Sequence, residues 1–216
     1  MTVNKTYAVF GLGRYGLAVA EELVNNGAEV LAVDINENLV NDAIEFLPYC
    51  KCADVTDADV IRQLGISNID VVIIAMAGSL EASVMATMLC KEAGVETVIV
   101  KCANEMHKKI LTKIGADTVV FPESESGIRL AKNLLSSGFI DIIELSKDVS
   151  MFEMSVKDEW TGKSLVDLNL RKKYAINVVA LCQNGNVTTE INPTKLLEKD
   201  MKLIVVANGE VLKKIK

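Results

Sequence analysis

Gly11-Leu12-Gly13-Arg14-Tyr15-Gly16 spaces three glycines as Gly-x-Gly-x-x-Gly, directly after an apolar run and at the head of a helical stretch. Each glycine has a separate task in that setting. The first permits a tight turn, the second lets backbone approach a phosphate, and the third lets helix and strand pack closely. The N–H groups at the helix start then face an anion. Asp34 ends the second apolar run. Its carboxylate can accept from both ribose hydroxyls, and its charge disfavours the 2′-phosphate of NADP.

Other residues fall at the same end of the predicted strands. Arg14, inside the turn, offers a guanidinium to a terminal phosphate such as that of ATP or ADP, or to a ligand on a neighbouring subunit; a solvated surface arginine is the plainer alternative. Asp54 follows the third run, where it would accept from an adenine amine or simply cap the next helix. Ala75, in Ala75-Met76-Ala77-Gly78 after the fourth run, leaves room beside a ligand. Lys101 ends the fifth run and would reach phosphate or sit in solvent. Glu123 reads by itself as an acid in the first turn of a helix.

Catalytic sets are missing. His107 is the sole histidine, so neither a Ser-His-Asp set nor a histidine-rich metal cluster can be assembled. No Walker-type loop is present for phosphoryl transfer. The residues build a binding site and stop there. A small NAD(H)-dependent oxidoreductase, or an NAD(H)-responsive redox sensor, is the competing reading; it would need a substrate pocket over residues 148–216.

The elements that must position these residues are legible. The runs Tyr7–Leu12, Glu29–Asp34, Tyr49–Cys52, Val71–Ala75, Thr97–Lys101 and Thr118–Phe121 alternate with helical segments, and several are apolar nearly throughout. Strands covered on both faces look like this. Gly27, Gly94 and Gly115 each follow a helix and precede a strand, as helix stops do. The expected architecture is α/β: a Rossmann-like doubly wound parallel sheet followed by a small α+β C-terminal subdomain. The expected boundaries are 1–136 for the nucleotide domain, 137–147 for a linker and 148–216 for the second domain. Phe139–Leu145 reads as a connecting helix or strand. In the second domain Met151–Val156 and Lys202–Ala207 read as strands, Ser164–Leu170 and Glu210–Ile215 as short helices, and Asn184-Gly185 as a hairpin turn between Asn177–Gln183 and Asn186–Glu190.

Charge divides as well. Residues 1–147 carry 12 basic and 20 acidic side chains, whereas residues 148–216 carry 11 and 9; the chain as a whole is at −6. That balance argues against a general nucleic-acid binder. No apolar run approaches the ~20 residues of a membrane span, and no signal peptide is evident at the start. Five cysteines, an odd number without a CxxC pair, read as mostly buried free thiols in a cytoplasmic protein.

Val9-Phe10-Gly11-Leu12-Gly13-Arg14-Tyr15-Gly16, Leu31-Ala32-Val33-Asp34, Gly115-Ala116-Asp117 and Phe121-Pro122-Glu123-Ser124 with Gly127 resemble the RCK domain, the regulator of potassium conductance. Lys163 to Arg171 and Tyr174 to Leu181 resemble its C-terminal part. The order of these motifs covers nearly the whole chain and is similar to the regulatory subunits of Ktr potassium-uptake systems.

The resemblance implies a cytoplasmic protein, peripheral to the inner face of the membrane. Its homodimers would assemble into an octameric ring under a membrane-embedded potassium channel or transporter subunit. It implies ATP or ADP in the Rossmann crevice, with NAD or NADH in some relatives. Gly11, Gly13, Gly16, Asp34, Asn36, Asp54 and Lys101 would hold nucleotide. Arg14 would reach the γ-phosphate, and Glu123 would lie at a dimer interface where a cation can bind. It further implies cyclic di-AMP as an effector in the second domain. Arg171 would hold phosphate, Leu165 and Val166 would pack on adenine, and Asn177 and Pro193 would complete the pocket. On the plainer reading, Arg171 instead pairs with Asp167 four residues away.

Overall fold

The computed structural model describes residues 5–135, 139–146 and 148–208. The chain divides into two compact units, Met1–Glu123 and Ser124–Lys216. Unit one runs β1 (Thr6–Phe10), α1 (Arg14–Asn25), β2 (Glu29–Asp34), α2 (Glu37–Ala43), β3 (Tyr49–Cys52), α3 (Ala58–Gln63), β4 (Val71–Ile74), α4 (Leu80–Glu92), β5 (Thr97–Lys101), α5 (Glu105–Lys113) and β6 (Thr118–Val120). Helix α6 (Pro122–Leu135) begins in this unit and continues into the second.

The six strands form one parallel sheet in the order β3-β2-β1-β4-β5-β6. Strand order reverses direction between β1 and β4, and open α/β sheets bind ligands at that seam. Both faces are covered. Ala8, Phe10, Val33 and Val72 point into one core, while Val9, Ala32, Val71 and Ile73 point into the other. Alternate side chains of a strand face opposite ways, so two covered faces require near-continuous apolar runs. This is the doubly wound sheet expected from the sequence. Gly27, Gly94 and Gly115 all take positive φ where a helix ends.

At the opposite edge of the sheet, Asp117 fastens three elements together. Its Oδ2 accepts from the Val98 N–H at 2.7 Å and pairs with Lys91 Nζ at 2.9 Å. Burial would raise its carboxyl pKa, but the Val98 and Lys91 bonds outweigh that and hold it low.

Unit two holds a five-stranded antiparallel sheet, built from β7 (Phe139–Glu144), β8 (Val149–Ser155), β9 (Asn177–Gln183), β10 (Asn186–Thr188) and β11 (Lys202–Asn208) in the order β10-β9-β11-β8-β7. Two short helices, α7 (Leu165–Leu168) and α8 (Leu170–Tyr174), lie between β8 and β9. Phe152, Met154, Trp160, Leu170, Leu203 and Val205 belong to the core. Asn184 and Gly185 both take positive φ, 52° and 77°, as the tight hairpin between β9 and β10 requires.

Phe139–Glu144, read as a connecting helix or strand, is an edge strand paired with β8. One feature differs from the sequence reading. The expected helix Ser164–Leu170 is broken at Asn169, whose φ of 47° is left-handed, and Ala175 at the end of α8 is left-handed too, at 55°. Helix α7 is closed by a capping box in which Ser164 and Asp167 exchange hydrogen bonds. The expected features at Ser136-Ser137-Gly138 and Glu210–Ile215 lie outside the described residues.

All five cysteines are free. Cys90 and Cys102 are buried, Cys50 and Cys182 half-buried, and Cys52 is exposed at the end of an edge strand. Burial pushes the Cys90 thiol up to about 12, which makes it an inert core side chain.

Candidate functional site

The turn from β1 into α1 is held by close backbone packing. Gly11 has a φ of +94°, and a Cβ there would lie 2.9 Å from Met76 Cγ and 3.2 Å from the Ala75 carbonyl carbon. A Cβ on Gly16 would overlap the carbonyl oxygen of Gly11 and press on Ala75 Cβ. These two glycines, with Ala75 opposite, let the turn sit against the end of β4. Gly13 is different. No protein atom lies within 4 Å of the place a Cβ would take, and its φ of −65° suits any residue. The α1 N-terminus receives no side-chain cap and has no acid in its first turn. Helix starts without a side-chain cap are places where anions bind.

Asp34, half-buried at the end of β2, already supports this turn. Its Oδ2 accepts from the Leu12 N–H at 2.6 Å and its Oδ1 from the Asn36 N–H at 2.8 Å. A carboxylate has about four acceptor sites, so acceptor capacity remains for ribose hydroxyls. Asn36 caps α2, its Oδ1 accepting from the Asn38 N–H. Asp54 does not cap α3; Asp57 does. Asp54 instead accepts from the Thr56 hydroxyl at 2.7 Å and the Thr56 N–H at 2.9 Å, and those bonds hold its carboxyl below the usual range.

Lys101 and Glu123 meet. Nζ lies 2.5 Å from Oε1, with the lysine side chain 15% exposed and the glutamate 63% exposed. The ammonium also sits over the Tyr15 ring, 5.4 Å from its centroid, and so beside the glycine turn. The Lys101 hydrogen bond holds the Glu123 carboxyl below its ordinary range, with a smaller contribution from the charge of Arg14. Arg14 itself is exposed. Thus Arg14, Tyr15, Lys101 and Glu123 converge at the carboxyl edge of the sheet. Glu123 is no isolated first-turn acid, and this ion pair, spanning 22 residues, left no local signal in the sequence.

Among the described residues no group of three or more histidine, cysteine or acidic side chains is placed to hold a metal. Glu123, the residue expected beside a cation, is paired with Lys101 within this chain. His107 is half-buried on α5, and its Nδ1 is buried without a hydrogen-bond partner.

In unit two, Leu165, Arg171 and Asn177 line a hollow of about 260 Å³ together with Asn169, Leu170, Ile176 and Val178. Val166 and Pro193 do not line it. They are joined to each other, the Val166 N–H donating to the Pro193 carbonyl at 3.2 Å, and Val166 is 59% exposed. The suggested Arg171–Asp167 pair is absent among the described residues. Asp167 Oδ2 is taken by the Ser164 hydroxyl at 2.6 Å, and the break at Asn169 removes the continuous helix that i, i+4 pairing needs.

The fold and the crevice define a Rossmann-like module of the nucleotide-binding type, joined to a small antiparallel-sheet unit. Residues 7–122 match the TrkA-N domain. The chain is 37% identical over 206 residues to Ktr system potassium uptake protein C of Bacillus subtilis (strain 168), spanning 95% of this chain and 93% of that protein. It is 36% identical over 211 residues to Ktr system potassium uptake protein A of Vibrio alginolyticus, spanning 98% and 96%. A solved GsuK channel bound to NAD superposes with a TM-score of 0.65 at 16% identity, over 98% of this chain and 38% of that one; this likeness concerns the fold. The chain belongs to the TrkA-N family, among its Ktr-type potassium uptake proteins. No helix among the described residues is long and apolar enough to cross a membrane.

Proposed function

We propose that the chain is the regulatory subunit of a Ktr-type potassium-uptake system, a non-catalytic protein that binds ATP and ADP in the crevice of residues 1–136. The observation that carries this reading is the uncapped α1 N-terminus at Gly13, flanked by Arg14 and Lys101 at one edge of the sheet. Regulation needs no turnover, only unequal affinity of a ligand for two shapes of the assembly. The subunit would act at the inner face of the membrane on a membrane-embedded potassium channel or transporter. A homodimer building an octameric ring suits the exposed apolar side chains of α6, Ile128, Leu130 and Leu134. A cation at Glu123 would need further oxygen ligands from outside this chain.

Arg14→Ala tests the crevice. It is expected to leave ADP affinity within about twofold and to weaken ATP by roughly tenfold, the value of a charge-assisted bond. Titration calorimetry with both nucleotides checks this, and equal losses for the two would remove Arg14 from the γ-phosphate. Thermal shifts with ATP, ADP, NAD and NADH rank the ligands, because a ligand bound only to the folded state raises Tm. NAD(H) is the second reading, favoured by the placement of Asp34 at the end of β2, where dinucleotide sites hold ribose.

Residues 148–216, after a connection over 137–147, would bind cyclic di-AMP. Leu165, Arg171 and Asn177 support this by sharing one hollow, with Val166 and Pro193 beside each other at a second patch. The 260 Å³ hollow suits half of a symmetric ligand shared between two subunits. Arg171→Ala is expected to weaken cyclic di-AMP at least roughly tenfold and to leave ATP unchanged; unaltered affinity for the cyclic dinucleotide would take Arg171 out of that site.

A further inference from the structure

We infer that the turn from α2 into β3 is a docking surface for an extended protein segment that carries apolar side chains among lysines or arginines, the chemistry of the cytoplasmic face of a membrane protein. Naming a membrane protein as its source rests on the regulatory reading above.

Three large apolar side chains stand in water at this turn. Ile44, Phe46 and Tyr49 are 56%, 58% and 61% exposed. Leu47, between them, is buried in the core that α1 and α2 share, so the fold does not draw on the other three. The backbone is fixed: the Phe46 and Leu47 N–H groups both donate to the Ala43 carbonyl, at 3.0 and 2.8 Å. An ordered turn presents these side chains, so little freedom is lost on docking. Strand β3 then pairs with β2 alone. Its other edge leaves N–H and C=O groups for an incoming extended segment.

Charge decides the occupant. From Tyr15 to Cys50 the chain carries seven acidic side chains and no lysine, arginine or histidine. Asp42 and Glu45 lie either side of Ile44 in sequence. Leu31 is the register partner of Tyr49, which sets Glu29 at the same end of the sheet. All three acids are exposed, and none forms an ion pair among the described residues. Lys51 within β3 and Lys5 just ahead of β1, whose charge acts on Asp70, offset a minority of the acids. A second copy docked on the same patch would set these acids face to face, and an anionic lipid surface would be repelled likewise. A segment with basic side chains around apolar ones satisfies both the apolar centre and the acidic rim. Cytoplasmic loops of membrane proteins carry an excess of lysine and arginine, and the regulatory reading supplies such a protein.

Fluorescence anisotropy of the full chain with a labelled peptide alternating leucine and lysine tests the surface, with a leucine–glutamate peptide as control. The lysine peptide is expected to bind and the glutamate peptide not. Phe46→Ser should weaken the lysine peptide at least roughly tenfold, as loss of an aromatic anchor does. Asp42→Asn with Glu45→Gln should weaken it by roughly twofold to fivefold, as loss of rim charge does. Val187→Ser, at an exposed apolar position on β10, should change nothing. No binding, equal binding of the two peptides, or equal losses in Phe46→Ser and Val187→Ser would each overturn the inference. So would a Phe46→Ser variant that lost adhesion to phosphatidylserine vesicles or lost self-association in sedimentation, which assign the surface to lipid or to a second copy. In cells that depend on this chain for potassium uptake, Phe46→Ser should lose uptake while the thermal shift with ATP persists; unimpaired uptake would overturn the membrane source. An unaltered chain that supports no uptake and shows no nucleotide shift fails the regulatory reading instead, a result separate from the peptide titration.

Discussion

Gly16→Ala is expected to destabilise the protein by about 2 kcal/mol, seen as a fall in Tm of roughly 5 °C or more. Alanine normally favours a helix interior over glycine by about 1 kcal/mol, so the sign is a real test. Gly16 is buried in the first turns of α1, and an added methyl would overlap the Gly11 carbonyl oxygen. Overpacking costs ~1–3 kcal/mol where side chains can adjust, but here the neighbour is backbone. Relief would require α1 to move off the ends of β1 and β4. That movement also displaces the N–H groups at the helix start, so nucleotide affinity should fall with stability. Gly13→Ala is the contrast: beyond its chain neighbours nothing lies within 4 Å of the new carbon and φ is −65°, so the cost is only the preference of a helix N-cap for glycine over alanine, roughly 1 kcal/mol or about half that of Gly16→Ala. On the proposed function nucleotide binding should nevertheless weaken, because the methyl would stand where a phosphate approaches the backbone. Thermal melts and calorimetry on the two variants separate a glycine needed by the fold from one needed by the ligand.

Asp34→Asn is expected to weaken nucleotide binding by roughly 10- to 100-fold, the loss of a hydrogen bond to a charged acceptor. The two carboxylate oxygens accept from two different backbone N–H groups, those of Leu12 and Asn36. Asparagine has one acceptor oxygen and one NH2 group, so one of those N–H groups would face a donor. An unmet partly buried donor costs ~1–3 kcal/mol, and the stability loss should fall within that range. The carboxylate thus braces the glycine turn from inside the same chain while presenting its remaining acceptor sites to the crevice. Titration with ADP and a thermal melt read both effects. A variant that kept full affinity would show that ribose is held elsewhere.

The first unit was legible because its physics is local. Val71 to Ile74 is apolar at every position since both faces of β4 are covered, and Gly94 marks the end of α4 by taking a φ open to few other residues. Strand ends shifted by a residue or two. The Tyr7–Leu12 run ends as a strand at Phe10, because Gly11 turns the chain even though Leu12 stays buried. Asn186–Glu190 pairs only through Thr188. For Phe139–Glu144 the sequence left helix and strand open, and pairing with β8 decides for the strand. The break at Asn169 rests on a left-handed asparagine, a residue type that tolerates that conformation without by itself marking it. What stayed hidden in the first unit depends on residues distant in sequence. Among the site residues, the chemistry of Asp34 could be read from its position after β2, but its bond to Leu12, 22 residues earlier, could not. Nor could the pairing of Lys101 with Glu123.

Ala175, at the end of α8, bears on how this chain has been selected. An alanine held at φ 55° bears a steric cost of about 1–2 kcal/mol that glycine would not. Mutation and selection keep a protein above the stability its work requires and no further. A position at which one methyl group opposes the fold marks stability left unclaimed, which a glycine there would recover.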